Sequence, residues 1–380
     1  MDDRQDWEQQ RAWVEIDLSA LTHNVRQIHS LLAPTTAIMA VVKADAYGHG
    51  AIEIARTVIA AGVKWLAVAT VNEGIELRSA GIVAPILILG AINTDAQVQA
   101  IVNWDLHPTI CSIAQATVIS KAAASLDPHP DLHVHLKLDT GMSRLGTDWQ
   151  QAVDFYREVI ALPYLQIASL YSHLATADEL DPTVMEMQID RFDRSIAAIG
   201  AAGYVLPLLH LANSAGLLVS DRLHYQLVRP GLILYGLCPA PHLHSAIDLQ
   251  PVLSVRARIT QVKDICAGTG VSYGYRFIAE RDMQIAIVEI GYADGIPRRL
   301  SDRMQAIVRG QLVSQIGAIT MDRIVLDVSQ IPELQVGEIV TILGADGNVS
   351  ISADEWATTL GTIAWEILCG FKHRLPRVSK

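Results

Sequence analysis

AIMAVVKADAYGHG, residues 37–50, opens with six apolar residues and then meets a lysine, Lys43. An uninterrupted apolar run of this length suits a strand covered on both faces, as in a parallel sheet. The strand is expected over Ala37–Ala44. Similar runs recur at Trp65–Ala69, Ile86–Leu89, Leu106–Cys111, His133–Leu138, Ile167–His173, Leu208–Ala212 and Gln226–Tyr235. Amphipathic stretches lie between them: Ile52–Ala61, Asn72–Ala80, Gln115–Ala124, Gln150–Ala161 and Thr183–Ala202. Their apolar residues recur every three to four positions, the helical period. Eight strands alternating with helices predict an N-terminal (β/α)8 TIM-type barrel over residues 1–240, in preference to an open doubly wound sheet. A further helix, Ser19–Leu32, precedes the first strand, with Ser19 as its expected N-cap.

The texture changes after residue 240. CPAPHLHSAIDLQP, residues 238–251, holds three prolines and reads as a linker. Strand-like runs follow at Val252–Val262, Gln284–Ile290, Gln305–Val308, Ile324–Val328 and Ile339–Leu343, separated by AGTG, ADG and ADGN turn signals. One helix, Ala353–Leu360, opens at Ser352. Residues 241–380 therefore read as a C-terminal mainly β domain, and the fold class is α/β: a barrel followed by that domain.

Composition narrows the function classes. Of 380 residues, 51% are hydrophobic and 18% charged, enough apolar material for a large core and too much for disorder. The net charge of -11 has no basic stripe, so no nucleic-acid partner is expected. Cys111, Cys238, Cys266 and Cys369 show no CxxC spacing, which argues against a zinc ribbon or a disulfide framework. PHPDLHVH, residues 128–135, is rich in histidine but lacks an accompanying ligand set, so it reads as a surface loop and no metal is expected. The opening MDDRQDWEQQRAW lacks an apolar segment, and no window approaches ~20 apolar residues. A cytoplasmic enzyme with no membrane partner is the expectation.

Chemistry concentrates at Lys43. It ends a buried strand at the C-terminal mouth of the barrel, where such folds place their active sites. Desolvation there favours the neutral amine, which can form a Schiff base with a carbonyl compound. The plain alternative is a lysine that snorkels from a strand end.

The surrounding residues decide between these readings. VVKADAYGHG resembles the pyridoxal-phosphate lysine signature of the alanine racemase family. The resemblance continues, in order, through WVEIDLSALTHNV, KLDTGMSRLG (137–146), SHLATAD (172–178), HLANSAG (210–216), VRPGLILYG (228–236), VSYGYRF (271–277), IGYADGIPRRL (290–300), TMDR (320–323) and RLPR (374–377). It covers essentially the whole chain. It implies an isomerase that interconverts L- and D-alanine on pyridoxal 5'-phosphate by a two-base mechanism, supplying D-alanine for peptidoglycan. A broader amino-acid racemase acting on serine is the alternative on the same scaffold. A related decarboxylase needs a cysteine and an acidic pyridine partner, which Arg229 does not fit. A non-catalytic pyridoxal-phosphate carrier resembles the barrel alone.

The same resemblance implies roles residue by residue. Lys43 carries the cofactor and acts as one base. Tyr273 is the second base, supplied across a head-to-tail homodimer by the partner subunit, with His173 and Arg229 behind it. Read alone, Tyr273 is equally a core tyrosine of the β domain. Arg229 faces the pyridine nitrogen, where a permanent cation keeps that nitrogen unprotonated and weakens the electron sink. Tyr47, Ser214, Gly231 and Leu232 contact the phosphate; read alone, Ser214 is a helix N-cap. The family's C-terminal phosphate tyrosine is replaced here by His373. Lys137 is N-carbamylated and orients Arg144, which meets the substrate carboxylate; the plain alternative pairs Lys137 with Asp139. Met321 and Asp322 match the carboxylate-binding segment, and Tyr292, Asp178 and Arg298 match the entry channel. GYADG also reads as a plain turn. Ala318 stands where many relatives carry arginine, so a differently shaped entrance is expected.

Overall fold

The structure is a computed structural model that describes residues 10–127, 129 and 131–380. The chain forms two compact units that do not follow a single cut. One holds residues 20–46 and 51–250; the other holds residues 10–19, 47–50 and 251–380.

The first unit is the barrel. Its strands are Ala37–Val41, Trp65–Val68, Ile86–Ala91, His107–Ile110, Leu132–Asp139, Leu165–Tyr171, Leu208–His210 and Leu227–Val228. Each of the first six pairs in parallel with the next, and Leu227 lies opposite Ala37, bringing the eighth beside the first. Between the seventh and eighth, Gln226 N–H donates to Leu209 O at 3.2 Å and Arg229 N–H to Ala212 O at 3.0 Å. Helices Ala51–Ala60, Val71–Ser79, Ile113–Ala124, Ala152–Ile160 and Thr183–Ala201 occupy the expected segments. Asp95–Asn103 adds a helix that the periodicity did not reveal; it buries only Val98 and Ile101.

Two local expectations are corrected. The run Gln226–Tyr235 is not one strand. Only Leu227–Val228 is extended; Pro230 has no N–H for a ladder, and Leu232–Tyr235 winds into a fully buried 3-10 helix. Its hydrophobicity records burial, not strand geometry. The early helix is Leu18–Ser30, and Asp17 stands before it, its Oδ1 accepting from Ser19 N–H at 3.0 Å. A carboxylate at the positive helix end suits this role better than a hydroxyl inside the first turn.

The barrel interior departs from the usual filling of branched aliphatic side chains. Thr109, His135, Ser169, Tyr171 and His210, from the fourth to the seventh strands, are all buried.

The second unit is mainly β. Its sheet runs in the order Gln311–Ser314, Gln305–Val308, Ile339–Asp346, Leu253–Ile265, Ala12–Ile16, Arg377–Ser379. Met283–Val288 joins the long strand Leu253–Ile265 and pairs in turn with Ile324–Asp327. The chain's first strand thus belongs to this unit: Val14 faces Val255 in antiparallel register and Arg377 in parallel register. Helix Ala353–Leu360 begins with a capping box between Ser352 and Glu355.

Candidate active site

The first barrel strand ends at Val41, short of the expected Ala44, and Lys43 stands two residues beyond it, half-buried. The chain then does something rare for non-glycine residues. Ala44, Asp45, Ala46 and Tyr47 all have φ between 52° and 55°. This is a left-handed turn, and each such residue costs roughly 1–2 kcal/mol. Side chains hold it. Glu73 Oε1 accepts from Ala44 N–H at 2.7 Å, while its Oε2 accepts from Ala69 and Thr70 N–H at 2.7 and 2.9 Å. Asp45 Oδ1 accepts from Ala51 N–H at 2.7 Å, at the start of helix Ala51–Ala60. Strain of this kind persists where surrounding structure over-determines it, and it clusters at functional sites. Glu73 and Asp45 were not singled out from sequence, although the T-x-x-E pattern at 70–73 is the capping-box signature that would have located Glu73.

Arg229 leaves the eighth strand and is almost fully buried. Its Nη1 donates to His210 Nδ1 at 2.7 Å, and its Nη2 to the carbonyls of Ser172 at 2.7 Å and Leu211 at 3.0 Å. His173 Nδ1 lies 3.4 Å from Nη2, so the two residues paired by sequence stand together. Burial draws the guanidinium pKa down to about 10, and Tyr171 nearby offsets part of that. Arg229 also lies over the Tyr171 ring, 5.1 Å from its centroid. It is no surface arginine.

Lys137, on the fifth strand, is buried and sits 5.4 Å from the centroid of the same ring. Asp139 is not its salt-bridge partner; Asp139 Oδ1 accepts from Gly141 and Ser143 N–H, shaping the turn that follows. Burial, with Arg229 next in effect, lowers the Lys137 pKa to about 8. Arg144 is exposed but close enough to contribute to that shift. His173 is held neutral by burial and by Arg229, Lys137, Arg144 and Lys43. The mouth therefore gathers four cationic side chains, a field that suits an anionic ligand.

Ser214 begins helix Ser214–Val219, but the N-cap is Asn213, whose side chain accepts from Gly216 N–H at 2.9 Å. Ser214 Oγ instead accepts from Gly231 N–H at 2.9 Å, so these residues meet after strands seven and eight. Leu232 follows them, buried. Asp178 lies exposed beyond the sixth strand.

In the β unit, Tyr273 is 72% exposed, which removes the core reading. A small hairpin, Gly270–Val271 with Phe277–Ile278, presents it. Ser272 before it has φ 62° and is anchored by its hydroxyl to Ala318 O at 2.7 Å. Ala318 itself is buried. Tyr292 and Met321 are brought side by side because Gly291 lets two backbones touch: a Cβ there would lie 2.3 Å from Thr320 O. Tyr292 N–H donates to Thr320 O and Ala293 N–H to Met321 O, each at 3.0 Å. GYADG is more than a turn, since the buried Asp294 accepts from Gly291 N–H at 2.9 Å and is gripped by Arg11 at 2.6 and 3.1 Å. Asp322 pairs with Arg374 at 2.7 Å. Arg298 opens a 3-10 turn, Arg298–Leu300. His373 is exposed. Tyr47 is buried and groups with this unit, where burial raises the pKa of its phenol. Beside it, Arg377 of RLPR donates to Gly48 O at 2.9 and 3.1 Å.

Among the described residues, no group of three or more His, Cys, Asp or Glu is placed to hold a metal ion, and no helix is long and apolar enough to cross a membrane.

A (β/α)8 barrel that gathers two lysines and a buried arginine at the C-terminal ends of its strands, with Ser214 and Gly231 joined after the last two, defines an enzyme of the barrel class, with its chemistry at that mouth. The family model for the alanine racemase N-terminal domain matches residues 16–239, and that for the alanine racemase C-terminal domain matches residues 252–379. The chain belongs to the alanine racemase family. An alanine racemase from a Nostoc species is 60% identical over 372 residues, covering 98% of this chain and 96% of the relative. One from a Synechocystis species is 57% identical, covering 97% and 99%. Among solved structures, alanine racemase from Clostridium difficile 630 is similar with a TM-score of 0.93 and 33% identity, covering 98% of this chain and 96% of that one. The Bartonella henselae alanine racemase, described with covalently bound pyridoxal phosphate, is similar with a TM-score of 0.86 and 28% identity, covering 98% and 100%.

Proposed function

We infer that this protein is a pyridoxal-phosphate-dependent alanine racemase, acting on L- and D-alanine as a head-to-tail homodimer and supplying D-alanine for peptidoglycan. The observation that carries the reading is Arg229: a nearly fully buried guanidinium, locked by His210 and two carbonyls, at the mouth that Lys43 enters.

The residues present fit the cofactor. Lys43 offers an amine to its aldehyde. Ser214, accepting from Gly231, keeps its own proton to give to a phosphate oxygen, and Gly231, Leu232 and Tyr47 match the family's other phosphate contacts. Arg229 offers a donor-only group to the ring nitrogen. When bound, the cofactor supplies an electron sink that acidifies the substrate α-proton. With a pKa of about 10, Arg229 keeps its proton at neutral pH, which restrains that sink and favours return of the proton over loss of the amino group. Lys43 and the partner subunit's Tyr273 exchange the proton on opposite faces of the α-carbon. The exposure of Tyr273 on its hairpin supports a role toward a second copy of the chain. Arg144, oriented by a carbamylated Lys137, and the Met321 backbone receive the substrate carboxylate. Tyr292 and Asp322 border it, and His373 takes the place of the family's phosphate tyrosine.

Incubation with pyridoxal phosphate and L-alanine in D2O tests the reading. Loss of the α-proton with approach to equal D- and L-alanine is expected. Unchanged alanine beside an intact cofactor band overturns it, and a parallel L-serine sample measures side-chain range.

A further inference from the structure

The polar line through the barrel interior is not explained by the residues that would touch cofactor or substrate. Arg229 Nη1 lies 2.7 Å from His210 Nδ1. His210 Nε2 lies 2.7 Å from Ser169 Oγ, and Ser169 Oγ lies 2.6 Å from His135 Nδ1. His135 Nε2 lies 3.1 Å from His107 Nδ1. The members come from the seventh, sixth, fifth and fourth strands in spatial order. His107 is the first residue of its strand, and the exposed His133 stacks on it at 5.3 Å. The line therefore runs from the mouth to the N-terminal end of the barrel. Burying three imidazoles and a hydroxyl is costly unless each is paired, and aliphatic side chains would fill the same space at no such cost.

The direction of every hydrogen bond follows from Arg229. A guanidinium has donors only, so His210 Nδ1 accepts. Burial and the arginine's charge keep His210 neutral, so its proton sits on Nε2 and points at Ser169. Ser169 has one proton, and having accepted from His210 it donates to His135 Nδ1. His135 is buried and neutral as well, so it carries its proton on Nε2 and donates to His107 Nδ1. His107 then keeps its proton on Nε2. One cation fixes three tautomers, and all the dipoles point the same way. A second chain clamps the first. Tyr171 stacks on His210 at 4.6 Å and 7°. Thr109 gives its proton to Ile88 O at 2.7 Å, so the Tyr171 hydroxyl is the donor in its 2.8 Å bond to Thr109.

We propose that His135 and His107 are positioning residues of the active site, acting through Ser169 and His210 to hold Arg229 in one orientation and to spread its charge down a one-way hydrogen-bond line. Aligned hydrogen bonds polarise one another, so each acceptor further along strengthens the one at the arginine. The tautomer pattern rests on the barrel alone. The effect on turnover rests on the reading of Arg229 as the cofactor's ring partner.

The test uses the holoenzyme labelled with 15N-histidine. Nitrogen shifts of His210, His135 and His107, assigned by single substitutions, should show Nε2–H with Nδ1 unprotonated from pH 6 to 9. A His135 protonated on Nδ1, or on both nitrogens, overturns the one-way line. His135→Leu should then lower kcat between about 2- and 30-fold, the range for residues that act through packed neighbours, with rates normalised to bound cofactor and KM within about twofold. His135→Gln, which keeps an acceptor and a donor, should recover most of the loss. Should His135→Leu fail to fold, Ser169→Ala cuts the line at a smaller side chain and is read the same way. The expected tautomers with an unaltered kcat in His135→Leu or Ser169→Ala would remove the positioning role. An enzyme that leaves alanine untouched yet shows the tautomers would instead indict the substrate reading.

Discussion

Lys137 illustrates what burial does to a single side chain. Its neighbours are Arg229, Arg144 and the Tyr171 ring, and its pKa falls to about 8 from an ordinary 10.5. At pH 7 that leaves roughly one amine in ten neutral, against about three in ten thousand for an ordinary lysine. Only the neutral amine adds carbon dioxide. Carbamate formation on the apoenzyme should therefore rise with a midpoint near pH 8, seen as a 13C carbonyl signal from labelled bicarbonate; a midpoint above 10 would contradict the buried environment. Stability carries the same sign. The folded state binds fewer protons than the unfolded chain between about pH 8 and 10.5, so unmodified Lys137 contributes a penalty below pH 8 that lifts as pH rises through that window. Lys137→Met should lose this pH-dependent part in thermal scans run without carbon dioxide. At the mouth itself, Lys43→Ala should abolish the borohydride-reducible cofactor adduct, and a surviving adduct would reassign the cofactor lysine. Lys43 was legible because an apolar run ends on it. The depth of Arg229 was not, since VRPG reads locally as a turn and only the closing strands reveal how far inside it lies.

Helices and strands were legible wherever apolar spacing was regular, and less so where burial came without it. Leu232–Tyr235 is as hydrophobic as a strand because all four residues are buried, yet the chain there is a 3-10 helix. The left-handed turn after Lys43 escaped the sequence for the opposite reason: Ala-Asp-Ala-Tyr contains no glycine to announce positive φ. Such a turn depends on outside support, and Glu73 supplies three acceptor contacts to it and to the loop beside it. Glu73→Ala should remove them together and destabilise the barrel by about 1–2 kcal/mol, with the lost cap included. Because Lys43 rides on this turn, turnover should fall by about ten- to a hundredfold as the amine leaves its geometry. Urea unfolding followed at the barrel, together with single-turnover rates, checks both halves. Lost stability with an unchanged chemical rate would mean that the turn holds its shape without Glu73.

Two segments far apart in the sequence are tied together in a way no local pattern announces. Ala12–Ile16 and Arg377–Ser379 pair in parallel across more than 360 residues of sequence, and Arg377 closes on Gly48 of the lysine motif. The β unit offers Tyr273 outward, with Tyr275, Ile278 and Met321 also exposed on it. If each site takes Lys43 from one subunit and the partner subunit's Tyr273, two inactive variants must rescue one another. Lys43→Ala keeps the tyrosine, and Tyr273→Phe keeps the lysine. A mixed dimer then contains one intact site and one doubly altered site. Random exchange makes half the dimers mixed, so activity should return to about a quarter of the unaltered enzyme, counted from two sites per dimer. Separately, Tyr273→Phe should slow proton removal from L-alanine far more than from D-alanine, since the two bases work on opposite faces. Equal slowing would argue against a two-base exchange. Mixtures that regain no activity after subunit exchange, verified by tagged pull-down, would place Tyr273 in its own chain's site and make each subunit a complete catalyst.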